Sequence, residues 1–389
     1  MKKSLLALAV TGAFAGSAQA QSSVTVYGLY DGGMLNTNKS ESTSAGAITR
    51  SQQGGFAGNA SASSRLGFRG TEQLNSDLSA FFNYELSITP GSGELNVLTG
   101  TSGSDNANGA KGPRTSIVGI ASKQFGSLAF GRQTTGIHSV VAGDIWGGSN
   151  MVGDLTYSSF YSSTTTAVNN FSSVNAVSGR VSNNATRLDN MATYRSPTLM
   201  GLSLRGDWAN NTLTDDGQPG IQTALSGIGA SFTWKQFTVN ANTTTTVTNE
   251  AIAVGTAFSA NKTAINAANA MFKQGPVTIQ YTIAGNTTEN KTTGAQVSKV
   301  LAQKLSAQYQ VTPAIMAFAQ YGKGGTQMTK AVSAANTQTR DEGLQIGAEY
   351  AFSKRTNLYA AYGNQERKNV NTAAKAEVTQ IAAGIKHTF

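Results

Sequence analysis

Apolar and polar residues alternate with a period of two along most of this chain. Leu78, Ala80, Phe82, Tyr84 and Leu86 alternate with Ser79, Phe81, Asn83, Glu85 and Ser87. Met200, Leu202, Leu204 and Trp208 alternate with Ser203, Arg205 and Asp207, and Ile228, Ala230, Phe232 and Trp234 with Ser231, Thr233 and Lys235. The same holds for Val277, Ile279, Tyr281 and Ile283, and for Leu344, Ile346, Ala348, Tyr350 and Phe352. Side chains on a strand point alternately to its two faces, so each run carries one apolar and one polar face. Sixteen such runs are expected from Val24 onward. Those around 114–123 and 263–273 are the least regular, because both parities mix apolar and polar residues.

The connections alternate too. Short turns are expected at Asn75-Ser-Asp77, Lys123-Gln-Phe-Gly126, Ser196-Pro-Thr198, Lys235-Gln236, Gln274-Gly-Pro276, Thr312-Pro313 and Ser353-Lys-Arg355. Between them fall longer polar loops near 36–61, 89–113, 210–225, 248–262, 287–297, 323–341 and 365–375. Alternating strands can bury their apolar face in a soluble sandwich or turn it toward lipid in a closed transmembrane barrel. An even strand count, runs of about ten residues and alternating short turns and long loops favour the barrel. Aromatics near strand ends (Tyr84, Trp208, Trp234, Tyr350, Phe352) suit the two membrane interfaces. The expected fold is all-β, a sixteen-stranded antiparallel transmembrane β-barrel.

One connection breaks the pattern. Between Arg132 and Arg187 more than fifty residues rich in Gly, Ser, Thr and Asn show no sustained period. Connections that long usually carry function or are disordered. This one holds His138, Asp144, Trp146 and Asp154, and is read as folding into the space the strands enclose.

Composition narrows the class further. Only 13% of residues are charged, about half the usual share. Gly is abundant, Pro scarce and Cys absent, so no disulfide helps hold the fold. The net charge is +9, but no Lys/Arg-rich run or nucleic-acid-binding motif accompanies it, and no nucleic-acid partner is expected. Lys2-Lys3, the apolar run Leu5 to Val10 and Ala18-Gln-Ala20 form a secretory signal, with residues 1–20 removed before Gln21. Nothing downstream approaches the 18 apolar residues of a membrane helix. The mature domain is expected to be a barrel over 21–389.

The last strand, Glu377 to Phe389, puts Ile381, Ala383, Ile385, His387 and Phe389 on one face and Gln380 and Lys386 on the other. A final strand ending in an aromatic residue resembles the assembly signal of Gram-negative outer-membrane proteins. The chain as a whole resembles a general porin of the proteobacterial type. The matching stretches are Val24-Thr-Val-Tyr-Gly28, Ser64-Arg-Leu-Gly-Phe-Arg-Gly70, Phe125-Gly-Ser-Leu-Ala-Phe-Gly-Arg-Gln133, Arg187-Leu-Asp-Asn190 with Tyr194, and Gly384-Ile-Lys-His-Thr-Phe389.

The resemblance implies a homotrimer in the outer membrane, surrounded by membrane lipid and lipopolysaccharide. It implies insertion by the outer-membrane assembly machinery through Phe389. Each pore would be narrowed by the third loop, here 134–185. The family sets basic residues on the wall opposite acids on that loop. Arg65, Arg132 and Arg187 fall at the family's wall positions, with Arg69 and Arg114 as further basic candidates. Asp144 is the candidate loop acid. Gly147-Gly148 stand where some members carry a second acid, and Asp154 is the alternative. The implied cargo is small hydrophilic solutes and ions, and no cofactor is implied; anions are expected to be preferred because the mature chain is positive and the lumen arginines outnumber the loop acids.

Parity adds its own expectations. With Leu66 and Phe68 toward lipid, Arg65 and Arg69 face the lumen; with Leu188 and Tyr194 toward lipid, so do Arg187 and Asp189. Phe81 is the one aromatic that parity turns inward. Arg132 shares parity with Leu128 and Phe130, so a bulge near Gly131 is needed to re-aim it. Arg205 and Arg114 stand equally well as solvated or interfacial charges. An enzyme is not expected. Neither His138 nor His387 has a nucleophile context, and no cluster has metal-ligand spacing. A barrel that displays loops as an adhesin or receptor, and a substrate-specific channel, are the alternatives to a general pore.

Overall fold

The computed structural model describes residues 23–90, 94–95, 113–143, 146, 151–152, 154, 187–212, 222–250, 259–328 and 337–389. The expected signal segment 1–20, Asp144 and all of 155–186 lie outside the described residues.

Seventeen strand segments build one antiparallel wall. They are β1 (Ser23–Ser42), β2 (Ile48–Gly58), β3 (Arg65–Gln73), β4 (Leu78–Thr89), β5 (Thr115–Ser122) and β6 (Gly126–Thr134). After a helix, α1 (Gly136–Val141), come β7 (Arg187–Arg195), β8 (Leu202–Thr212), β9 (Gln222–Trp234), β10 (Phe237–Glu250) and β11 (Ser259–Gln274). The series ends with β12 (Val277–Asn290), β13 (Gln296–Gln310), β14 (Ile315–Met328), β15 (Thr337–Ala351), β16 (Thr356–Asn369) and β17 (Lys375–Thr388). β2 and β3 lie end to end along β1, so the wall has sixteen positions. β17 pairs with β1 from Thr388↔Leu29 to Lys375↔Ser42 and closes the cylinder. Gly28 and Phe389 exchange backbone hydrogen bonds of 3.0 and 3.2 Å at the seam. Closure leaves no unpaired edge along the seam, as lipid requires.

The wall is inside-out relative to a soluble protein. Ile228, Trp208, Trp234, Leu301, Leu305 and Tyr309 are exposed, while Gln280, Thr282, Gln320, Gln345 and Gln380 are buried. Ile228 is 62% exposed and Gln345 fully buried. That inversion decides between sandwich and barrel, because a sandwich would bury the aliphatic face. Short turns join the strands at the end that carries Phe389, and the long connections lie at the other. The short-turn end is therefore periplasmic and the long-loop end extracellular.

Two expectations change. The first long loop, expected near 36–61, is mostly strand: β1 continues to Ser42 and β2 starts at Ile48. Between Asn36 and Gly55 every side chain described in them but Ile48 is polar or absent, so alternation could not mark them, yet the backbone pairs fully from Gly32↔Gly58 to Ser42↔Ile48. The wall then breaks at 59–64, where Asn59 takes φ +69°. Buried Asp31 holds the break: its carboxylate accepts the N–H groups of Ser61 (2.8 Å) and Ala62 (2.7 Å) and the hydroxyl of Tyr359 (2.6 Å). A carboxylate out of water needs such partners. The break ends at Arg65.

Second, Leu188 does not face lipid. One residue of β6, Arg132, stands opposite two of β7, and the register shifts between Gly131 and Gln133. Asn190 takes φ +52° and Gly131 φ +122°, conformations that suit Asn and Gly. The extra residue turns Leu188 inward, where it packs with Met191, Ala209 and Leu225. Period-2 parity cannot be carried across a bulge.

Candidate functional site

The interior of the barrel has two unlike linings. The first spans β1 to β6 and is basic. The register puts Arg65 opposite Leu29 and Arg69 opposite Thr25, on the face away from exposed Val24 and Val26. The Arg69 guanidinium lies 5.2 Å from the centre of the Tyr27 ring, close enough for a cation–π contact. The Tyr27 hydroxyl donates to Asn83 (2.8 Å) and Glu85 (3.1 Å). Glu85 is the shared anion of this sector. Arg114 binds its Oε1 at 2.7 Å, and Arg65 lies 3.9 Å from the same atom. Arg132 donates to Asp189 (2.8 Å) and to the Pro113 carbonyl (2.7 Å). With the buried Asp31 of β1, four guanidiniums here meet three carboxylates, a surplus of one positive charge among these described residues.

The second lining spans β8 to β17 and is covered by the inner segment that follows β6. Asp207 and Arg205 anchor its root. Asp207 accepts the N–H of Gly136 (2.7 Å) and the hydroxyl of Thr193 (2.7 Å), and binds Arg205 at 2.9 Å. Arg205 also donates to the Thr134 carbonyl. Thr135 caps α1 by accepting the His138 N–H. The helix lays Ile137, Val140 and Val141 on Ile265, Ala267, Ala284 and Ala302 of the wall.

Beyond the helix, wall carboxamides hold the segment's backbone. Asn269 donates to the Val140 carbonyl (3.0 Å), and Gln280 to that of Gly143 (2.6 Å). Gln345 donates to the carbonyls of Met151 (3.0 Å) and Val152 (2.9 Å), and the Val152 N–H reaches Gln380 (2.9 Å). Gly363 makes the close approach possible, since a Cβ there would lie 2.3 Å from the Val152 carbonyl oxygen. Trp146 stacks on Phe318 with ring centres 3.9 Å apart and donates to Glu349 (3.0 Å), which also binds Lys386 (2.8 Å). Asp154, fully buried, pairs with Lys304 at 2.9 Å.

The comparisons with known proteins fit this architecture. The sequence profile of the Gram-negative porins matches residues 6–370. The chain belongs to the Gram-negative porin family. An outer membrane porin of Bordetella pertussis is 30% identical over 208 residues, 52% of this chain and 46% of that one. Outer membrane porin protein 32 of Delftia acidovorans is 37% identical over 132 residues, 34% and 32% of the two chains. The matched stretches thus span less than half the length of these curated relatives. Among solved structures, the anion-selective porin from Comamonas acidovorans superposes with a TM-score of 0.69 at 19% identity, covering 95% of this chain and all of that one. A loop L8 deletion mutant of OmpT of Vibrio cholerae gives 0.62 at 14% identity, covering 95% and 99%. At those identities the likeness is one of fold. The porin is thus an outer-membrane barrel.

Within the porin, the sequence-derived candidates divide. Arg65, Arg69 and Arg114 come together around Tyr27 and Glu85. Arg132 stands across from the bulge, whose extra residue lies in β7 at Asp189–Asn190, and is held by Asp189. Arg187 opens β7 opposite Thr134 and is 9% exposed, buried rather than open to water. Asp154 is held by Lys304, away from the arginine sector. Sequence reading missed Lys304, Gln345, Gln380 and the Arg367–Asp341 pair, in which two contacts of 2.7 Å join fully buried groups. Their parity was readable: Arg367, Gln365 and Gly363 share a face opposite Lys368. What could not be read is the segment that covers them.

Proposed function

We propose that this porin forms a water-filled diffusion channel for small hydrophilic solutes, with anions preferred. Segment 134–185 is the constriction loop, and Arg65, Arg69, Arg114 and Arg132 form the basic side of the narrowing, with Arg187 buried beside it rather than facing the water. The relatives named as porins support a channel rather than an enzyme. The arginine surplus around Glu85 carries the anion preference: cations line one sector, while Asp154 is paired. Asp144 remains the candidate for an acid facing the solute path. At 3.9 Å, unit charges interact by about 4 kcal/mol at an effective dielectric near 20 and about 1 kcal/mol in water, so Glu85 offsets its neighbours only in part. Reversal potentials in a salt gradient test the reading. Arg65→Ala should lower the anion-to-cation permeability ratio several-fold at low salt; an unchanged ratio sinks it.

A homotrimer fits as well, since one solved form of Vibrio cholerae OmpT, TM-score 0.61 and 15% identical, is a trimer. Electrophoresis without heating should give a species near three times the monomer mass. Phe389 serves as the assembly signal, and deleting it should leave unassembled chain in the periplasm.

A further inference from the structure

The basic lining changes character toward the periplasm. Arg69 follows Arg65 by four residues on β3. At about 3.4 Å per residue and a tilt near 40°, it lies about 10 Å nearer the short-turn end. Its side chain is exposed, and its recorded contact is the face of Tyr27. Among the described residues no carboxylate lies within ion-pair distance of Arg69, whereas Arg65, Arg114 and Arg132 each have one.

Beside this cation the wall turns apolar. Arg69 stands across from Asn83, and Asn83 across from Ile117. The next inward row toward the periplasm sets Phe81 across from Gly119, and Gly119 across from Ala129. Phe82, Val118, Ile120, Leu128 and Phe130 are the exposed, lipid-facing set of these strands, so Phe81, Ile117 and Ala129 face the lumen. Gly119 makes room for the Phe81 ring. A Cβ there would lie 2.4 Å from Phe81 Cζ and 2.6 Å from the Leu128 carbonyl oxygen. The ring thus reaches over β5 and forms an apolar shelf with Ile117. Both side chains are half-buried, so the shelf meets water.

The inward aromatics of the other lining are treated differently. Phe318 and Tyr359 are covered by Trp146 of the inner segment. No described ring covers Phe81. Arg69 and Phe81 are diagonal neighbours on paired strands, a separation of about 7–8 Å that long and aromatic side chains bridge. A carboxylate on Arg69 therefore leaves a ring attached to it over the shelf. Such a ligand supplies a counter-ion to the cation and covers apolar surface that water otherwise touches.

We propose that this corner is a subsite for aromatic monocarboxylates, with the carboxylate on Arg69 and the ring against Phe81. The subsite rests on the reading of the lumen as an anion-preferring pore, and adds the class of anion favoured there. Size alone gives the opposite order, because acetate diffuses faster than benzoate.

The test uses the full mature porin in planar bilayers, with benzoate, acetate and neutral benzamide added to potassium chloride. Benzoate should halve the chloride current at a concentration about five- to tenfold below that of acetate, the factor an aromatic contact supplies. Benzamide should be weaker than either. Phe81→Asn should bring benzoate to the acetate value, and Phe81→Leu, apolar but without a ring, should fall between. Arg69→Gln should leave benzoate no better than benzamide. A resolved single-channel step shows that each variant has folded and inserted. Equal block by benzoate and acetate in the parent overturns the subsite, as does an unchanged benzoate-to-acetate ratio in Phe81→Asn. Benzamide as effective as benzoate overturns it too, since the ring would then bind without Arg69. The channel reading fails by a separate measurement, a parent reversal potential that favours potassium over chloride. A parent that favours chloride but does not distinguish benzoate from acetate sinks the subsite alone.

Discussion

The two linings of the barrel solve opposite problems with the same strands. From β8 to β17 the inward positions are mostly carboxamides, hydroxyls and small apolar groups, and they hold a segment of backbone. From β1 to β6 they include arginines, a tyrosine, a shared glutamate and the buried Asp31. An amide that donates to a buried carbonyl satisfies both groups without desolvating a charge. Where the holding lining does use charge, it uses it in closed pairs, Asp154–Lys304 and Arg367–Asp341, whose fields largely cancel. The arginine lining leaves its charges in surplus. One side is built to hold protein and the other to be felt by ions.

Lys304→Met strikes the holding side hardest. Breaking a buried pair by removing one partner costs about 3–5 kcal/mol, because the remaining charge has no water. Asp154 is fully buried, so it should leave its place and take the inner segment with it. The heat-modified transition should fall, and the double change Lys304→Met with Asp154→Leu should recover most of the loss. No recovery would mean that the pair does not act as a unit.

Gly363→Leu attacks the same contact sterically. Its Cβ would overlap the Val152 carbonyl, and backbone cannot yield as a flexible side chain does. If the segment narrows the pore, lifting it should change single-channel conductance about two-fold or more with the barrel still folded. Parent conductance would place the narrowing elsewhere. On the arginine side the effects are smaller and electrostatic. Glu85→Gln should raise the anion preference, because it frees Arg114 and Arg65 from a carboxylate at 2.7 and 3.9 Å. A lowered ratio would show that Glu85 holds the arginines in their working positions.

Most of the wall was legible because alternation over ten residues states both the strand and its lipid face. Ile228, Trp234, Ile279, Tyr281, Leu344 and Ile346 need no tertiary information. It failed where the period carries no contrast or is interrupted. β1 beyond Asn36 and β2 are polar on both faces, and the bulge at Asp189–Asn190 reversed Leu188. A bulge was expected at Gly131, because an arginine on the lipid face is costly, but the extra residue lies across from it in β7. The holding lining was not. Lys304 and Gln345 read as ordinary inward polar residues until the segment between β6 and β7 lies on them. That segment has no period, and the six residues of α1 are too few to show one.

The smallest expected effect decides whether selectivity belongs to the lining or to the whole molecule. Lys39 sits near the extracellular end of β1 and is paired with Glu41 at 2.9 Å. Counting net charge alone, Lys39→Ala and Arg65→Ala are the same change, one cation lost from a chain of +9. Locally they differ. Screening over about 10 Å at 0.1 M salt confines each charge to its own surroundings, and Lys39 already has an anion beside it. Its removal should move the reversal potential by no more than about a third of the Arg65→Ala shift at that salt. At 0.01 M, where screening reaches about 30 Å, the gap between the two variants should narrow. Equal shifts at 0.1 M would mean that ions respond to the charge of the barrel as a whole, and the contrast between the two linings would then have no bearing on which ions pass.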